Sequence, residues 1–366
     1  MEFIATAAFG LEGLVKQELS ALGFEARAET GGARFKTDMA GAFKANLWLA
    51  CADRVMAVMA EAETLSFDAL FEMVRAIPWE DYLPRDAAFP VSGHCARSQL
   101  MSISDCQKIV KKAIVERLKQ RYKTEWFPET GPVFPVSVTI SRDIARLALD
   151  TSGEALNRRG FRTYVGEAPL RETLAAAMVR LCGWDLRRPL HDPCCGSGTL
   201  MMEAAFLAAN RASGLSRSFV MESWPQGQLR AQKLLRQEAQ AAFKPEAIPL
   251  ISGSDISPEA LDLSKKHLRQ ADLLDRVTVW QADLRQLTLS DQKPYFLANP
   301  PYGQRLGDKK AADKLAAAFG DLMKRHPEAD LAILSANPSF ERMMGRRAKS
   351  RRRLYNGRLE CELLLF

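Results

Sequence analysis

Long apolar runs are missing from this chain. None approaches the ~18 residues that a membrane-crossing helix needs, so no membrane span is expected. The first residues, Met1-Glu2-Phe3-Ile4-Ala5-Thr6, place no basic segment ahead of an apolar core. No secretory signal is therefore expected, and the cytoplasm is the default location. Histidine is scarce: there are 4, at His94, His191, His267 and His326, and none stands at ligand spacing. No C-x-x-C pair occurs, so neither a structural nor a catalytic zinc is expected, nor any other metal. The 7 cysteines are odd in number and follow no framework spacing, which excludes a disulfide scaffold and fits a reducing compartment. Internal repeats and low-complexity tracts are absent as well.

What is present is an ordinary globular composition, with 47% hydrophobic and 26% charged residues. At 366 residues the chain is long enough for two or three domains with sizeable cores. Lys and Arg total 51 against 44 Asp and Glu, giving a formal charge of +7. That balance favours a polyanionic partner, nucleic acid first among them.

Periodicity divides the chain into three parts. Residues 1–63 read as β-α-β-β-α-β, a ferredoxin-like arrangement. A strand at 3–6 precedes a helix with Leu11, Leu14, Val15, Leu19 and Leu22 at helical spacing, closed by Gly23. A hairpin turns at Gly31-Gly32. Asp38 or its predecessor caps a second helix, and the last strand covers 54–60. Residues 64–157 are again mixed, with a long helix from Ser104 to about Tyr122 whose Val110, Ile114, Leu118 and Tyr122 share a face. From 158 to 366 strand and helix alternate, which predicts an open, mostly parallel sheet. Its end differs: the runs 351–355 and 359–366 flank Asn356-Gly357, a strong hairpin signal.

Two segments carry chemistry. Asp192-Pro193-Cys194-Cys195-Gly196-Ser197-Gly198-Thr199 ends a strand and opens a helix, and its glycines let a ligand approach the backbone. Met201 stands where a dinucleotide fingerprint wants its third glycine, and a Walker A sequence is absent. Asp255 ends the next strand, where a carboxylate can accept from both hydroxyls of a ribose, or alternatively cap the following helix. Asp283 follows the third strand and can take an adenine amino group. Asn299-Pro300-Pro301-Tyr302 ends the fourth strand, and its prolines fix an extended, rigid turn. The Asn299 amide oxygen and the Pro300 carbonyl can both accept from one substrate –NH2, while Tyr302 offers a flat stacking face. In this order the two segments point to S-adenosylmethionine held beside a planar base with an exocyclic amine. Basic stretches are weaker signals: Arg351, Arg352 and Arg353 near the end, and Lys111 and Lys112 on the long helix, suit phosphate contacts or simply a solvated surface.

With Asn157-Arg158-Arg159-Gly160-Phe161-Arg162 and Ala168-Pro169-Leu170-Arg171-Glu172-Thr173-Leu174-Ala175 added, the chain resembles the bacterial THUMP-domain RNA guanine-N2 methyltransferases. It is most similar to the methyltransferase half that makes N2-methylguanosine in 23S ribosomal RNA. The likeness covers nearly the whole length, including residues 219–225 and 354–357. It implies a ferredoxin-like domain (1–63), a THUMP RNA-binding domain (64–157) and a Rossmann-like methyltransferase domain (158–366). The last would carry a mostly parallel seven-stranded sheet ending in an antiparallel hairpin. It further implies that Asp192, Pro193, Gly196, Ser197, Gly198 and Thr199 hold the methionine end of S-adenosylmethionine. Asp255 and Ile256 would meet the ribose, Asp283 and Leu284 the adenine, and Asn299, Pro300, Pro301 and Tyr302 the guanine. Cys194-Cys195 stands where the family commonly has a bulky residue before a single Cys, and the second methyltransferase domain of some relatives is not seen. The expected substrate is 23S rRNA or a pre-ribosomal particle. Transfer RNA and adenine N6 are the rival substrates, and a non-catalytic RNA-binding assembly factor is the rival class.

Overall fold

The computed structural model describes residues 1–161, 170–225, 229–290, 293–301 and 309–366. In chain order the elements are β1 (Glu2–Thr6), α1 (Glu12–Ala21), β2 (Ala26–Glu29), β3 (Gly32–Lys36), α2 (Met39–Trp48), β4 (Arg54–Glu63), α3 (Phe67–Arg75), β5 (Val91–Ala96), α4 (Ile103–Tyr122), β6 (Val136–Ser141) and β7 (Ile144–Asp150). There follow α5 (Glu172–Leu181), β8 (Leu190–Asp192), α6 (Thr199–Ala208), α7 (Leu229–Ala242), β9 (Ile251–Asp255), α8 (Pro258–Gln270), β10 (Val277–Gln281), β11 (Tyr295–Ala298), α9 (Lys309–Arg325), β12 (Asp330–Ser335), α10 (Phe340–Met344), β13 (Ser350–Asn356) and β14 (Leu359–Leu365). They form two units. One holds Met1–Ala7, Val15–Leu156 and Ser218–Arg236; the other holds Ala8–Leu14, Asn157–Arg217 and Gln237–Phe366.

The first unit is built on a seven-stranded sheet in the order β2-β3-β1-β4-β7-β6-β5. The order β2-β3-β1-β4 is ferredoxin-like, as expected. Asp38 caps α2 by accepting from the Gly41 N–H at 2.8 Å. Strand β4 runs to Glu63, past the expected end at residue 60, and pairs antiparallel with β7 from Met56↔Asp150 to Glu63↔Ile144. One hydrogen-bonded sheet thus continues across residue 63. Parallel β5 and β6 require a long crossover, and α4 supplies it. That helix starts one residue earlier than the sequence suggests, at the Ser102 cap, and buries Cys106, Val110, Ala113, Ile114 and Leu118.

A buried polar knot ties α2 to the end of β7. The Asn46 amide nitrogen donates to Thr151 Oγ1 (2.8 Å), and the Ser152 hydroxyl donates to Asn46 Oδ1 (2.6 Å). Thr151 donates in turn to the Val55 carbonyl (2.7 Å), and Ser152 Oγ accepts from the Val55 N–H (2.8 Å). Asn46→Ala takes one hydrogen-bond partner from each of two buried hydroxyls, and a buried hydrogen bond lost costs about 1–3 kcal/mol. Urea unfolding is expected to show a loss of about 2–3 kcal/mol, whereas an unchanged midpoint would mean that the hydroxyls find other partners.

In the second unit the sheet order is β10-β9-β8-β11-β12-β14-β13. The first five strands are parallel; β14 is antiparallel to β12 and β13 to β14. Strand β11 is buried throughout, as befits a strand covered on both faces. Helix α6 packs on β8 and β9, and α8 on β9 and β10. Core residues of β11, β12 and α9, including Phe296, Ile333, Phe319 and Leu322, form one cluster. The terminal hairpin forms with its loop one residue later than expected: Asn356 still pairs with Leu359, and Gly357-Arg358 make the turn. Gly357 takes φ +66°, as a two-residue loop with glycine first requires. No helix among the described residues is long and apolar enough to cross a membrane.

Candidate active site

Strand order reverses between β8 and β11, where chain connections diverge to opposite sides and leave a crevice at the strands' C-terminal ends. A cavity of about 580 Å³ opens there. Four strand ends supply it: Asp192 from β8, Asp255 from β9, Asp283 just past β10, and Asn299 from β11.

The turn after β8 shapes its floor. Gly196 and Gly198 take φ +51° and +84°, and a Cβ on Gly198 would come within 2.6 Å of Ser264 Oγ. Space is open where a Gly196 Cβ would project. The Cys195 N–H donates to the Ser254 carbonyl (3.0 Å), tying the turn to β9. Asp255 braces the same turn, accepting from the Gly196 N–H (2.9 Å) and the Ser257 N–H (3.0 Å). It is not the helix cap, because Ser257 caps α8 by accepting from the Ala260 N–H.

Asp192 is 1% exposed, and its Oδ1 accepts from the Cys194 N–H at 3.1 Å. Burial pushes its carboxyl up to about 8, against the pull of that N–H and with the push of neighbouring Asp255. Burial also raises the Cys194 and Cys195 thiols, so neither is a ready nucleophile. His191, beneath the turn, lies between Ser252 Oγ (Nδ1, 2.9 Å) and Ser254 Oγ (Nε2, 3.0 Å). Burial, then His326, lowers it to about 3, so the ring is neutral and structural.

The helix leaving the turn is anchored from behind. Arg159 and Glu203 of α6 are 1% and 4% exposed and meet through Nε–Oε1 at 3.0 Å and Nη2–Oε2 at 3.3 Å. Arg159 belongs to the Asn-Arg-Arg-Gly segment that stood out in sequence, and its role here is to hold α6 in place.

Most of the expected site residues meet at this cavity. Pro193, Ser197 and Thr199 line it with Asp192 and Gly196; Ile256, Leu284 and Pro301 line it beside their acidic or amide neighbours. Gly198 and Pro300 sit behind the lining, and Tyr302 lies outside the described residues. Asp283 carries a partner the sequence did not suggest: Arg285 Nε contacts its Oδ2 at 2.9 Å and holds the carboxyl below its ordinary range. Other lining residues had no sequence signal of their own, notably Ala260 and Leu263 of α8, and Ala311, Lys314, Leu315 and Ala318 of α9. Their spacings are those of one helix face, which only the fold shows to be the face toward the cavity.

The basic stretches are partly neutralised. Arg351 pairs with Glu341 (2.8 Å) and Arg353 with Glu360 (3.2 Å). Among the described residues, exposed Arg352 reaches only the Gly10 carbonyl, at 3.4 Å. Lys111 is held by Glu129 at 2.7 and 2.8 Å and lies over the Phe89 ring, whereas Lys112 is exposed, 5.8 Å from the Phe71 ring.

An open glycine cradle, a buried carboxylate and two further acids at successive strand ends fit S-adenosylmethionine. Fold and site define a SAM-dependent methyltransferase. The chain matches the family described as RMKL-like, methyltransferase domain, over residues 159–364 and belongs to it. An RlmL ferredoxin-like domain matches 2–56 and a THUMP domain 65–150. YpsC of Bacillus subtilis, an RNA methyltransferase by name, is 37% identical over 98% of this chain and 94% of its own length. The ribosomal RNA large subunit methyltransferase K/L of Syntrophotalea carbinolica is 33% identical over 100% of this chain, which spans 53% of that protein. Two solved structures cover 100% of the chain. One, from Listeria monocytogenes and named an N6-adenine-specific DNA methylase, is 40% identical with TM-score 0.94. The other, the methyltransferase SMU.472 complexed with SAH, is 36% identical with TM-score 0.95.

Asp192→Asn tests the buried carboxyl. Its folded pKa of about 8 lies above the unfolded value near 3.8, so the folded chain keeps a proton that the unfolded chain sheds. The wild-type protein therefore loses stability as pH rises from about 4 to 8, at up to about 1.4 kcal/mol per unit. Without ligand, the Asn variant is expected to unfold at higher urea than wild type at pH 8.5 and alike at pH 4. A less stable variant at pH 8.5 would mean that the charge is already compensated.

Proposed function

We propose that this protein transfers the methyl group of S-adenosylmethionine to the N2 amine of a guanosine in structured RNA, most simply 23S rRNA. The observation that carries the reading is the pairing of β8 with β11, which sets the buried Asp192 beside the Asn299-Pro300-Pro301 turn at one cavity. Bound there, S-adenosylmethionine supplies an electrophilic methyl group. Asp192 and the Gly196 cradle hold its methionine end, Asp255 faces the ribose, and Asp283, Ile256 and Leu284 face the adenine.

Asn299 does the work on the substrate side. The lone pair of an exocyclic base amine is delocalised into the ring, so the nitrogen is a weak nucleophile. The Asn299 amide oxygen and the Pro300 carbonyl accept its two hydrogens, aim the nitrogen at the methyl group and ease its pyramidalisation. Positioning and electrostatics supply the rate. Paired guanine hides N2, so the target is unpaired or turned out of its helix. The ferredoxin-like and THUMP domains hold the RNA by its backbone and shape. The names of the K/L enzymes favour ribosomal RNA, while that of the Listeria structure keeps adenine N6 as the second reading.

Purified protein with deuterated-methyl donor, offered unmodified 23S rRNA, total tRNA and DNA separately, decides between them after digestion to nucleosides and mass spectrometry. Labelled N2-methylguanosine in rRNA is expected. Label in tRNA would overturn the substrate and N6-methyladenosine the base; no label in any of the three, with donor binding shown, would point to a pre-ribosomal particle or a non-catalytic role. Asn299→Ala is expected to lower the methylation rate by at least about a hundredfold while RNA binding persists. Of the three terminal arginines, Arg352 has no carboxylate partner among the described residues. Arg352→Gln is expected to weaken RNA binding and flatten its salt dependence more than Arg351→Gln or Arg353→Gln. Equal effects of all three would show that the ion pairs open on binding.

A further inference from the structure

One cavity wall carries a charge that the proposed cofactor does not explain. Ala311, Lys314, Leu315 and Ala318 of α9 fall at i, i+3, i+4 and i+7 and present one stripe to the cavity. Three of them are apolar. Lys314 alone is charged, and it is exposed at the cavity's edge. No ion pair or hydrogen bond ties it to any described residue. Its neighbour Asp313 is already engaged, accepting from the Asn337 amide at 3.0 Å. The other cation among the described lining residues, Arg285, is bound to Asp283.

The acids stand at successive strand ends. Asp283, Asp255 and Asp192 stand at β10, β9 and β8, in sequence along the sheet, and Asn299 follows at β11. Lys314 lies in the second turn of the crossover helix that joins β11 to β12 and lines the same cavity as the three acids. The acidic side suits a cationic donor. A sulfonium repels a lysine, and a neutral guanine gives it nothing to neutralise. The anion that accompanies a guanosine in RNA is its phosphodiester.

We infer that Lys314 contacts a backbone phosphate of the target nucleotide and fixes the turned-out guanosine against Asn299. This rests on the proposed function and adds a phosphate subsite to it. Lysine serves phosphate as a point charge without fixed geometry, so arginine can replace it while glutamine cannot. The contact acts on substrate binding and register and leaves the donor's seat untouched.

The test compares wild type, Lys314→Gln and Lys314→Arg in three measurements: steady-state methylation of the RNA, salt dependence of its KM, and affinity for S-adenosylhomocysteine by calorimetry. Lys314→Gln is expected to raise the RNA KM roughly five- to tenfold with kcat nearly kept. It should flatten the plot of log affinity against log salt by about one unit or slightly less. Lys314→Arg should restore both, and cofactor affinity should be the same in all three proteins. A fall in cofactor affinity with the RNA KM unmoved would assign Lys314 to the donor's carboxylate and overturn the inference. Unchanged KM and salt slope would also overturn it. A wild-type protein that methylates no RNA would instead bring down the proposed function, a failure visible before any variant is made.

Discussion

A short parallel pairing holds the functional half of this protein together. Strands β8 and β11 meet through two residue pairs, Leu190↔Tyr295 and His191↔Phe296. Everything chemically suggestive depends on that contact, because Asp192 and Asn299 leave the sheet just beyond it. Parallel strands cannot be joined by a tight turn, so long stretches of chain intervene. The intervening stretch, together with α9 after β11, supplies the walls of the cavity. The pairing in turn is secured by burial: Tyr295, Phe296, Leu190 and His191 are all nearly inaccessible.

Buried polar groups around this point are arranged for position more than for reactivity. His191 is kept neutral between two serine hydroxyls, and the two adjacent cysteines are kept protonated by burial and nearby carboxylates. Arg159 and Glu203 are removed from water together, and such a pair holds geometry better than it adds stability. Asp192 is the exception. Burial pushes its carboxyl up to about 8, so its charged form costs stability in the free protein.

Charge outside the cavity is more balanced than a formal excess of +7 suggests. On the first unit's sheet, Arg34 and Arg146 share Glu2, Glu29 and Glu61 across five strands, at 2.6–2.7 Å. Much of the basic hairpin is paired in the same way. A run of arginines in sequence is therefore a poor guide to where an anion will bind. Among the described residues, Lys314 and Arg352 are cations without an acid opposite them.

Sequence alone determined the local structure and the identity of the chemistry-bearing segments. Alternation and 3.6-residue periodicity located the strands and about half of the helices, because burying one face imposes its spacing on the chain; α5, α7, α9 and α10 were not located. The Asp192–Thr199 and Asn299–Pro301 turns were legible because glycine and proline restrict the backbone itself. Tertiary structure decided what depends on partners distant in the chain. It ran one sheet across residue 63 by pairing β4 with β7, and neutralised Arg351 and Lys111 with the acids Glu341 and Glu129. It also turned one face of α9 toward the cavity. A residue's type and spacing are set by its neighbours in the chain, but whether its charge stays available is set by what folding brings within a few ångströms.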